Sequence, residues 1–232
     1  MTVERWQAHG NVYLVTEDVL SADTVRSLVG DTDGIAQVTG RGADWAEVVI
    51  WNPDGSTAEM SGNATRIVAA WLGTERTRVR VAGREVVARR LEDGRIEQEL
   101  GEVAVAEPER VAGFDVIAVD VGNPHAVVVG DPDDRPRIGP LLETDPHFPG
   151  RTNVQVARID APGRVTARVW ERGVGETSAS GTSAVAVAAA THRSGEVVVS
   201  FPGGDLNVRL DGGRAWLTGP AERVPQIAAG DS

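Results

Sequence analysis

The chain has 232 residues, of which 25% are charged and 41% hydrophobic, the balance of an ordinary globular protein. Acidic residues outnumber basic ones by 34 to 23, which gives a formal net charge of −11. Because the sequence has no basic patch, we expect no nucleic-acid partner and no binding to an anionic membrane surface. It also has no apolar run of the ~20 residues that span a bilayer, so we expect no membrane-spanning segment.

Alternating and β-branched runs predict strands along most of the chain. Two apolar, small-residue runs predict buried helices over Gly62–Leu72 and Gly181–His192, with Gly73 and Gly195 as stops. The proline-rich stretch 131–136 is predicted to be a surface loop. The predicted strands are Asn11–Val15, Trp45–Trp51, Val79–Val81, Glu85–Arg90, Arg95–Leu100, Val116–Val121, Ala126–Val129, Asn153–Ile159, Val165–Trp170, Val197–Phe201, Leu206–Leu210 and Arg214–Thr218.

The predicted elements repeat at an offset of 119 residues, which relates Ser61-Gly62 to Ser180-Gly181 and Leu91 to Leu210. This repeat predicts an α+β fold of two pseudo-symmetric lobes, each a strand-rich unit around a buried helix. The expected lobes are residues 1–112 and 113–232, with the tail from about residue 221 packing back on the first lobe.

The chemistry that such a repeat favours is centred on Ser61 and Ser180, which precede the two buried helices. Free backbone N–H groups and the helix dipole make each position favourable for a carboxylate. If the two helix starts face each other, they suit inversion at a carbon that loses a proton on one face and gains one on the other. The simpler alternative is that each serine is only a helix N-cap.

Cysteine and lysine are both missing from the sequence. The first absence excludes disulfides, thiolate metal sites and thiol catalysis, and the second excludes pyridoxal-phosphate chemistry of the usual kind. The four histidines have no metal-ligand spacing, so we expect neither a cofactor nor a metal. The polar first ten residues do not have the pattern of a signal peptide.

Two long motifs carry a family resemblance. The segment Asn52–Arg66, NPDGSTAEMSGNATR, resembles the first signature of the diaminopimelate epimerase family, and Glu171–Thr182, ERGVGETSASGT, resembles the second. The segments Val121–Val127 and Arg151–Val154, together with Gly10-Asn11, are similar to further parts of the family. The family has a catalytic cysteine where Ser61 stands and another where Ser180 stands.

The resemblance implies a site between the lobes that takes a small, diaminopimelate-like amino acid. It makes Ser61 and Ser180 the catalytic positions, with His125 and Glu171 near them to assist their protonation state. Glu171 and Arg172 would bind the distal amine and carboxylate of the substrate. The remaining implied binding residues are Asn11, Asn52, Gly62, Asn63, Asn123, Asn153, Gly181 and Thr182.

The resemblance further implies a cofactor-independent epimerase that converts LL- to meso-diaminopimelate in lysine and peptidoglycan precursor synthesis. Such an enzyme is expected to be a cytoplasmic homodimer. A serine hydroxyl is far less acidic than a thiol, so we expect this site to bind its ligand and to epimerise it slowly or not at all.

Several alternatives stay open from the sequence. The serine pair is explained by engineering, by a natural change of chemistry, or by redesign with a reduced residue alphabet. Val12, Ala64 and Ser183, where the family usually has Asp, Gly and Gly, favour the natural change. The competing functions are a non-catalytic amino-acid-binding protein, an isomerase with an altered substrate, and a hydrolase that pairs a serine with His125 and Glu171.

Overall fold

A computed structural model describes residues 2–225 and contains four α-helices and nineteen strands within that range. The helices are α1 (Ala22–Leu28), α2 (Gly62–Leu72), α3 (Arg135–Glu143) and α4 (Gly181–His192), with a short 3-10 turn at Pro132–Asp134. The strands are β1 (Val3–Ala8), β2 (Asn11–Thr16), β3 (Gly34–Arg41), β4 (Trp45–Trp51), β5 (Thr57–Ala58), β6 (Arg76–Val81), β7 (Arg84–Arg90), β8 (Ile96–Glu102), β9 (Ala104–Val105), β10 (Glu109–Val111), β11 (Phe114–Asp120), β12 (Pro124–Val129), β13 (Asn153–Ala161), β14 (Arg164–Glu171), β15 (Gly175–Thr177), β16 (Gly195–Phe201), β17 (Gly204–Asp211), β18 (Arg214–Gly219) and β19 (Glu222–Arg223).

The element order of the first half recurs in the second, which confirms the α+β fold with an internal repeat. β3, β4, α2 and β6 each begin 119 residues before β13, β14, α4 and β16. Strands surround each long helix: α2 contacts β1, β2, β4 and β6 to β8, whereas α4 contacts β11 to β14 and β16 to β18.

Small side chains allow the strands to pack closely around the two helices. Every residue of α4 from Gly181 to Ala190 is buried, and so is every residue of α2 from Gly62 to Ala70. Most of these residues are Ala, Val or Gly, so each helix is narrow enough to lie inside a curved sheet. The bounds of both helices match the prediction.

The two helices end differently. α2 is capped at its C-terminus by Gly73, whose φ of 76° is the left-handed conformation that glycine adopts readily. α4 is capped by Arg193 with a φ of 62°, so the prediction of Gly195 as its stop is wrong. Gly195 instead begins β16, where it also has a positive φ.

Equivalent residues of the two repeats meet at two places, and these places mark a pseudo-twofold axis. β8 and β18 occupy matching positions of the repeat and pair with each other antiparallel. Gln98 lies opposite Leu217, its counterpart at the 119-residue offset, so the pairing is symmetric about this point. At the second place, the first residues of the helices, Gly62 and Gly181, pack against each other.

Part of the local prediction is wrong or incomplete. Residues 131–136 are not a loop, because the 3-10 turn and the start of α3 occupy them. Proline fixes φ near the helical value and is therefore favoured in the first turn of a helix, where Pro136 stands. β1, β3 and α1 were not predicted, and α1 buries only Val25.

The C-terminal segment returns to the first half of the chain, because β19 pairs with β1 through Trp6 and Arg223. Residues 226–232, the remainder of the predicted tail, lie outside the described residues. β9 and β10 both pair with β11, so strands near residue 112 join the two halves. The lobe boundary at 112 and 113 stays a prediction. Within residues 2–225, no helix has both the length and the apolar character of a membrane span.

Candidate active site

A polar cavity of about 100 Å³ lies between the two halves, at the point where α2 and α4 begin. It is lined by ten of the predicted site residues: Asn11, Asn52, Ser61, Asn63, Asn123, Asn153, Glu171, Arg172, Ser180 and Thr182. The lining also includes Tyr13, Thr57, Ala58, Glu59, Met60 and Val174. The structure therefore brings most of the predicted site together in one place.

The two helix starts approach each other closely at Gly62 and Gly181. A Cβ atom added at Gly62 would lie 3.1 Å from the Gly181 Cα atom, and a Cβ at Gly181 would lie the same distance from the Gly62 Cα. Only glycine permits this approach. The unpaired N–H groups of both helices, with their partial positive charge, are thus concentrated beside one cavity.

Ser61 is the N-cap of α2 and has two polar neighbours. Its Oγ accepts a hydrogen bond of 3.2 Å from the Ala64 backbone N–H, and it lies 3.3 Å from the Tyr13 hydroxyl. Tyr13 is buried on β2, and this burial raises the pKa of its phenol. The phenol is therefore neutral at physiological pH and can donate a hydrogen bond.

Ser180 stands at the matching position of α4 but does not cap the helix with its side chain. Glu171 lines the same cavity, and its carboxyl group accepts a bond of 3.1 Å from Thr177 Oγ1. Burial raises the pKa of Glu171, and the nearby Ser180 and Thr177 hydroxyl groups offset part of that rise.

Asn11 and Asn63 are joined across the boundary between the halves. Asn63 Nδ2 donates to Asn11 Oδ1 at 3.1 Å and to the Ala179 carbonyl at 3.3 Å. The fully buried Arg66 donates to Asn63 Oδ1 at 2.8 Å and fixes the orientation of this amide. Asn52 is more exposed and donates to Ser56 Oγ at 3.0 Å.

In the second half, Asn153 Oδ1 accepts the Arg172 backbone N–H at 3.0 Å, and its amide donates to the Pro124 carbonyl at 2.9 Å. Asn123 Nδ2 donates to Thr182 Oγ1 at 3.4 Å. These amides carry both donors and acceptors, and those that face the cavity suit the ammonium and carboxylate groups of an amino acid.

Among the described residues that line the cavity, Arg172 carries the one guanidinium group. Its Nη1 donates to the Gly150 carbonyl at 3.1 Å, and its Nη2 lies 3.7 Å from the Glu59 carboxylate of the other half. The side chain is 32% exposed, so it stands where a ligand carboxylate can replace or join Glu59.

His125 does not line this cavity. It is fully buried beside a neighbouring, more apolar cavity, with Nε2 bonded to Asn123 Oδ1 at 2.9 Å and Nδ1 bonded to Gln155 Nε2 at 3.0 Å. Burial lowers the pKa of His125 to about 3, so its ring is neutral and orients Asn123. Within residues 2–225, it makes no hydrogen bond to Ser61 or Ser180, so the geometry does not favour the hydrolase alternative.

Among the residues that were not predicted from the sequence, three have ionisable side chains that bear on the site: Tyr13 and Glu59 line the cavity, and Glu143 lies behind it. Glu143 is buried on α3 and accepts bonds of 2.7 Å from Trp170 Nε1 and the Gly173 N–H, and it also pairs with Arg151. It thereby holds both neighbours of the Glu171-Arg172 pair. The signal that could have indicated α3 is the spacing of Ile138 and Leu142, which are four residues apart and both buried.

No group of three or more potential metal ligands lies together in the described part of the chain. The cavity is instead built from amides, hydroxyl groups, two carboxyl groups, one guanidinium and two helix starts. This arrangement can bind a small zwitterion and place a hydroxyl group near its reacting carbon.

Comparisons with known proteins agree with this description. The family model described as diaminopimelate epimerase matches residues 117–224. A diaminopimelate epimerase of Desulforudis audaxviator is 39% identical over 236 residues, covering 86% of this chain and 84% of the relative. A diaminopimelate epimerase of Synechococcus is 34% identical, covering 95% of this chain and 90% of the relative.

Solved structures show the same fold at much lower sequence identity. A "predicted epimerase" of Pseudomonas aeruginosa has a TM-score of 0.75 at 16% identity, with 96% of each chain covered. A hydroxyproline epimerase of Agrobacterium vitis, solved with bound trans-4-hydroxy-L-proline, has a TM-score of 0.63 at 15% identity, covering 96% of this chain and 88% of that one. The two motifs, the shared fold and the identity to these relatives together establish that this chain belongs to the diaminopimelate epimerase family.

Proposed function

We propose that this chain binds diaminopimelate between its two halves and exchanges or inverts the α-hydrogen far more slowly than a cysteine-bearing member of the family. The observation that carries the proposal is the pair Ser61 and Ser180, which stand at two adjoining helix starts and line one cavity. A hydroxyl group on each side of the cavity has the arrangement that inversion requires, but not the acidity.

The charges of the cavity support a ligand with two amino-acid ends. The two helix starts suit one carboxylate, and Arg172 suits a second at the mouth of the cavity. Glu59 and Glu171 supply two carboxyl groups for two ammonium groups. An amino acid with one ammonium and one carboxylate group would leave one carboxylate-binding position and one of the two carboxyl groups without a partner.

The serine side chains account for the slow reaction. A cysteine thiol has a pKa of about 8.5, and a helix start lowers it further, whereas an unassisted hydroxyl group is far less acidic. Each general acid or base contributes roughly 10²–10⁴-fold to the rate. Replacing both thiols therefore costs several kcal/mol of transition-state stabilisation, at about 1.4 kcal/mol for each tenfold.

Binding and proton exchange test this proposal separately. Calorimetric titration with LL- and meso-diaminopimelate measures binding, and proton NMR in D₂O follows loss of the α-hydrogen signal. We expect the parent chain to bind, and the double variant Ser61→Cys/Ser180→Cys to exchange at least 10²-fold faster. The variant Ser27→Cys, at an exposed position of α1, controls for the mere presence of a thiol.

The outcomes separate the alternatives. Equally fast exchange in the parent would refute the slow reaction, because the hydroxyl groups would then suffice. Binding without exchange even in the double variant would favour a non-catalytic binding protein. Failure of both chains to bind either isomer would refute diaminopimelate as the ligand and favour an altered substrate.

Further properties that we propose rest on the family resemblance: a homodimer, a cytoplasmic location, and a place in lysine and peptidoglycan precursor synthesis. The lobes 1–112 and 113–232 remain our proposed division of the chain. Sedimentation equilibrium measures the oligomeric state, and a monomer at all concentrations would exclude the dimer.

A further inference from the structure

We propose that the buried cation Arg66 is a positioning residue, which supplies the counter-charge for a ligand carboxylate at the helix starts and acts through the Asn63 amide. This inference deepens the proposed function and rests on it, because it requires a carboxylate ligand in the cavity. Arg66 itself does not line the cavity.

Arg66, on α2, has no exposed surface and is the largest of the fully buried side chains in the described range. Its Nε donates to the Pro220 carbonyl at 2.9 Å, and its Nη2 donates to Asn63 Oδ1 at 2.8 Å. Both acceptors are neutral. Within residues 2–225, Nη1 has no hydrogen-bond partner and Arg66 forms no ion pair. The guanidinium is therefore a buried charge without an anion.

This position is an unfavourable one for a cation. Burial lowers the pKa of Arg66 to about 9, which still leaves the guanidinium charged at physiological pH. An unpaired charge is costly to bury. The bond to Asn63 also holds the guanidinium beside the first turn of α2, where the helix dipole repels a cation. Side chains that break such rules are expected where function needs them.

The second half of the chain shows that packing does not require an arginine here. At the 119-residue offset, the counterpart of Arg66 is Val185, which is fully buried in α4. On that side the cavity amide of Asn123 is held by His125, whose ring is neutral. Behind the cavity amides, the first half thus has a permanent charge and the second half a neutral ring.

The Asn63 amide carries the effect of this charge toward the cavity. It accepts from Arg66 through Oδ1, and its Nδ2 donates to Asn11 Oδ1 and to the Ala179 carbonyl. A cation at one end of such a chain polarises the amides along it. Asn63 and Asn11 both line the cavity, so the charge fixes and polarises two of its amides.

A carboxylate at the starts of α2 and α4 is the anion that this arrangement lacks. It would accept from the free N–H groups of the helix starts, with Asn63 between it and the Arg66 guanidinium. Charges interact more strongly inside a protein than in water, so the buried cation should favour an anionic ligand over a neutral one.

A thiol at the helix start tests the charge without any ligand. Because the chain has no cysteine, Ser61→Cys contains a single thiol, whose pKa is measured by thiolate absorbance against pH. Adding Arg66→Met, which keeps a long unbranched side chain but removes the charge, should raise this pKa by about one unit. The thiolate fraction below the pKa would then fall about tenfold.

The matched control is Arg135→Met in the same Ser61→Cys background. Arg135 is also buried, but it lies on α3, pairs with Glu176 at 2.8 Å and does not line the cavity. This substitution removes the same charge from the chain and should leave the thiol pKa unchanged. Thermal melts of all variants establish that they are folded.

Calorimetric titration tests the effect on the ligand. In the parent background, Arg66→Met should weaken the binding of meso-diaminopimelate by about tenfold. Binding of its diamide, in which both carboxylates are neutral carboxamides, should change far less. A purely structural role of Arg66 would instead weaken both ligands alike.

Either of two results would overturn the proposal: an unchanged thiol pKa on removal of Arg66, or an equal loss of affinity for the dicarboxylate and the diamide. If Arg66→Met does not fold, Arg66→Gln, which is also uncharged but keeps an amide donor, should show the same thiol shift. Absence of diaminopimelate binding in the parent would refute the proposed function, whereas the thiol titrations would still decide the role of Arg66.

Discussion

Substitution of Gly62 by alanine should weaken both the fold and the site. The added Cβ would lie 3.1 Å from the Gly181 Cα atom and 3.3 Å from the Gly181 C and Thr182 N atoms. All three neighbours are backbone atoms, so no flexible side chain can move aside. The two helix starts must instead separate by a few tenths of an ångström.

The magnitude follows from two opposing effects. Overpacking of this kind costs about 1–3 kcal/mol, whereas replacing a helical glycine by alanine gains up to about 1 kcal/mol. We expect Gly62→Ala to lower the free energy of unfolding by about 1 kcal/mol. Gly181→Ala should lower it more, because its Cβ would also lie 2.7 Å from Leu217 Cδ2.

Denaturant unfolding measures the stability, and calorimetric titration with diaminopimelate measures the site. Separated helix starts should weaken ligand binding by about tenfold, equivalent to about 1.4 kcal/mol. Gly130→Ala is the matched control, since no atom lies within 4 Å of its added Cβ and its backbone is not left-handed. A Gly62→Ala variant as stable as the parent, with the same affinity, would refute the close approach of α2 and α4.

Three further predictions concern other residues. Glu143→Gln should lower the free energy of unfolding by about 1–3 kcal/mol, because an amide nitrogen would face the Trp170 or Gly173 donors; unchanged stability in denaturant unfolding would contradict this. Arg172→Lys should weaken diaminopimelate binding by about tenfold in calorimetry, since lysine lacks the planar guanidinium group that binds a carboxylate through two hydrogen bonds, while the free energy of unfolding stays within about 0.5 kcal/mol. Equal affinity would argue against a ligand carboxylate at Arg172. The buried, neutral His125 should make stability fall with acid, because its folded pKa of about 3 lies below the ordinary 6.5 and only the unfolded chain takes up the proton between these values. Its contribution is about 1.4 kcal/mol per pH unit between these two pKa values. His125→Gln should therefore flatten the dependence of the unfolding free energy on pH, and an unchanged slope would exclude His125 as the cause of the acid sensitivity.

The sequence predicted those parts of the fold whose signal is local. α2 and α4 are apolar nearly all round and follow a serine, and both were predicted with their observed bounds. α3 was missed because Pro136 and Pro140 resemble turn residues, although Ile138 and Leu142 are buried four residues apart. β1 was missed because its residues are mostly half-buried and carry no clear alternation.

The site residues that were predicted are likewise those with a local sequence signal. Residues within the two motifs were found, because the repeat places them at equal positions along the chain. Tyr13 was missed because in sequence it is one more strand residue, and only the fold brings its hydroxyl to Ser61, 48 positions away. Glu143 was missed because its three partners are set by tertiary contacts rather than by spacing.

The antiparallel pairing of β8 with β18 has a consequence for how such a protein arises. Two identical half-length chains that paired through this strand would form a twofold dimer, with Gln98 and Leu217 at one and the same position. Any substitution in that ancestor would change both faces of the shared cleft at once. Gene fusion removes this constraint, because the two halves can then change independently. One face of the cleft can gain a tyrosine and the other a glutamate, so the cleft loses its twofold symmetry.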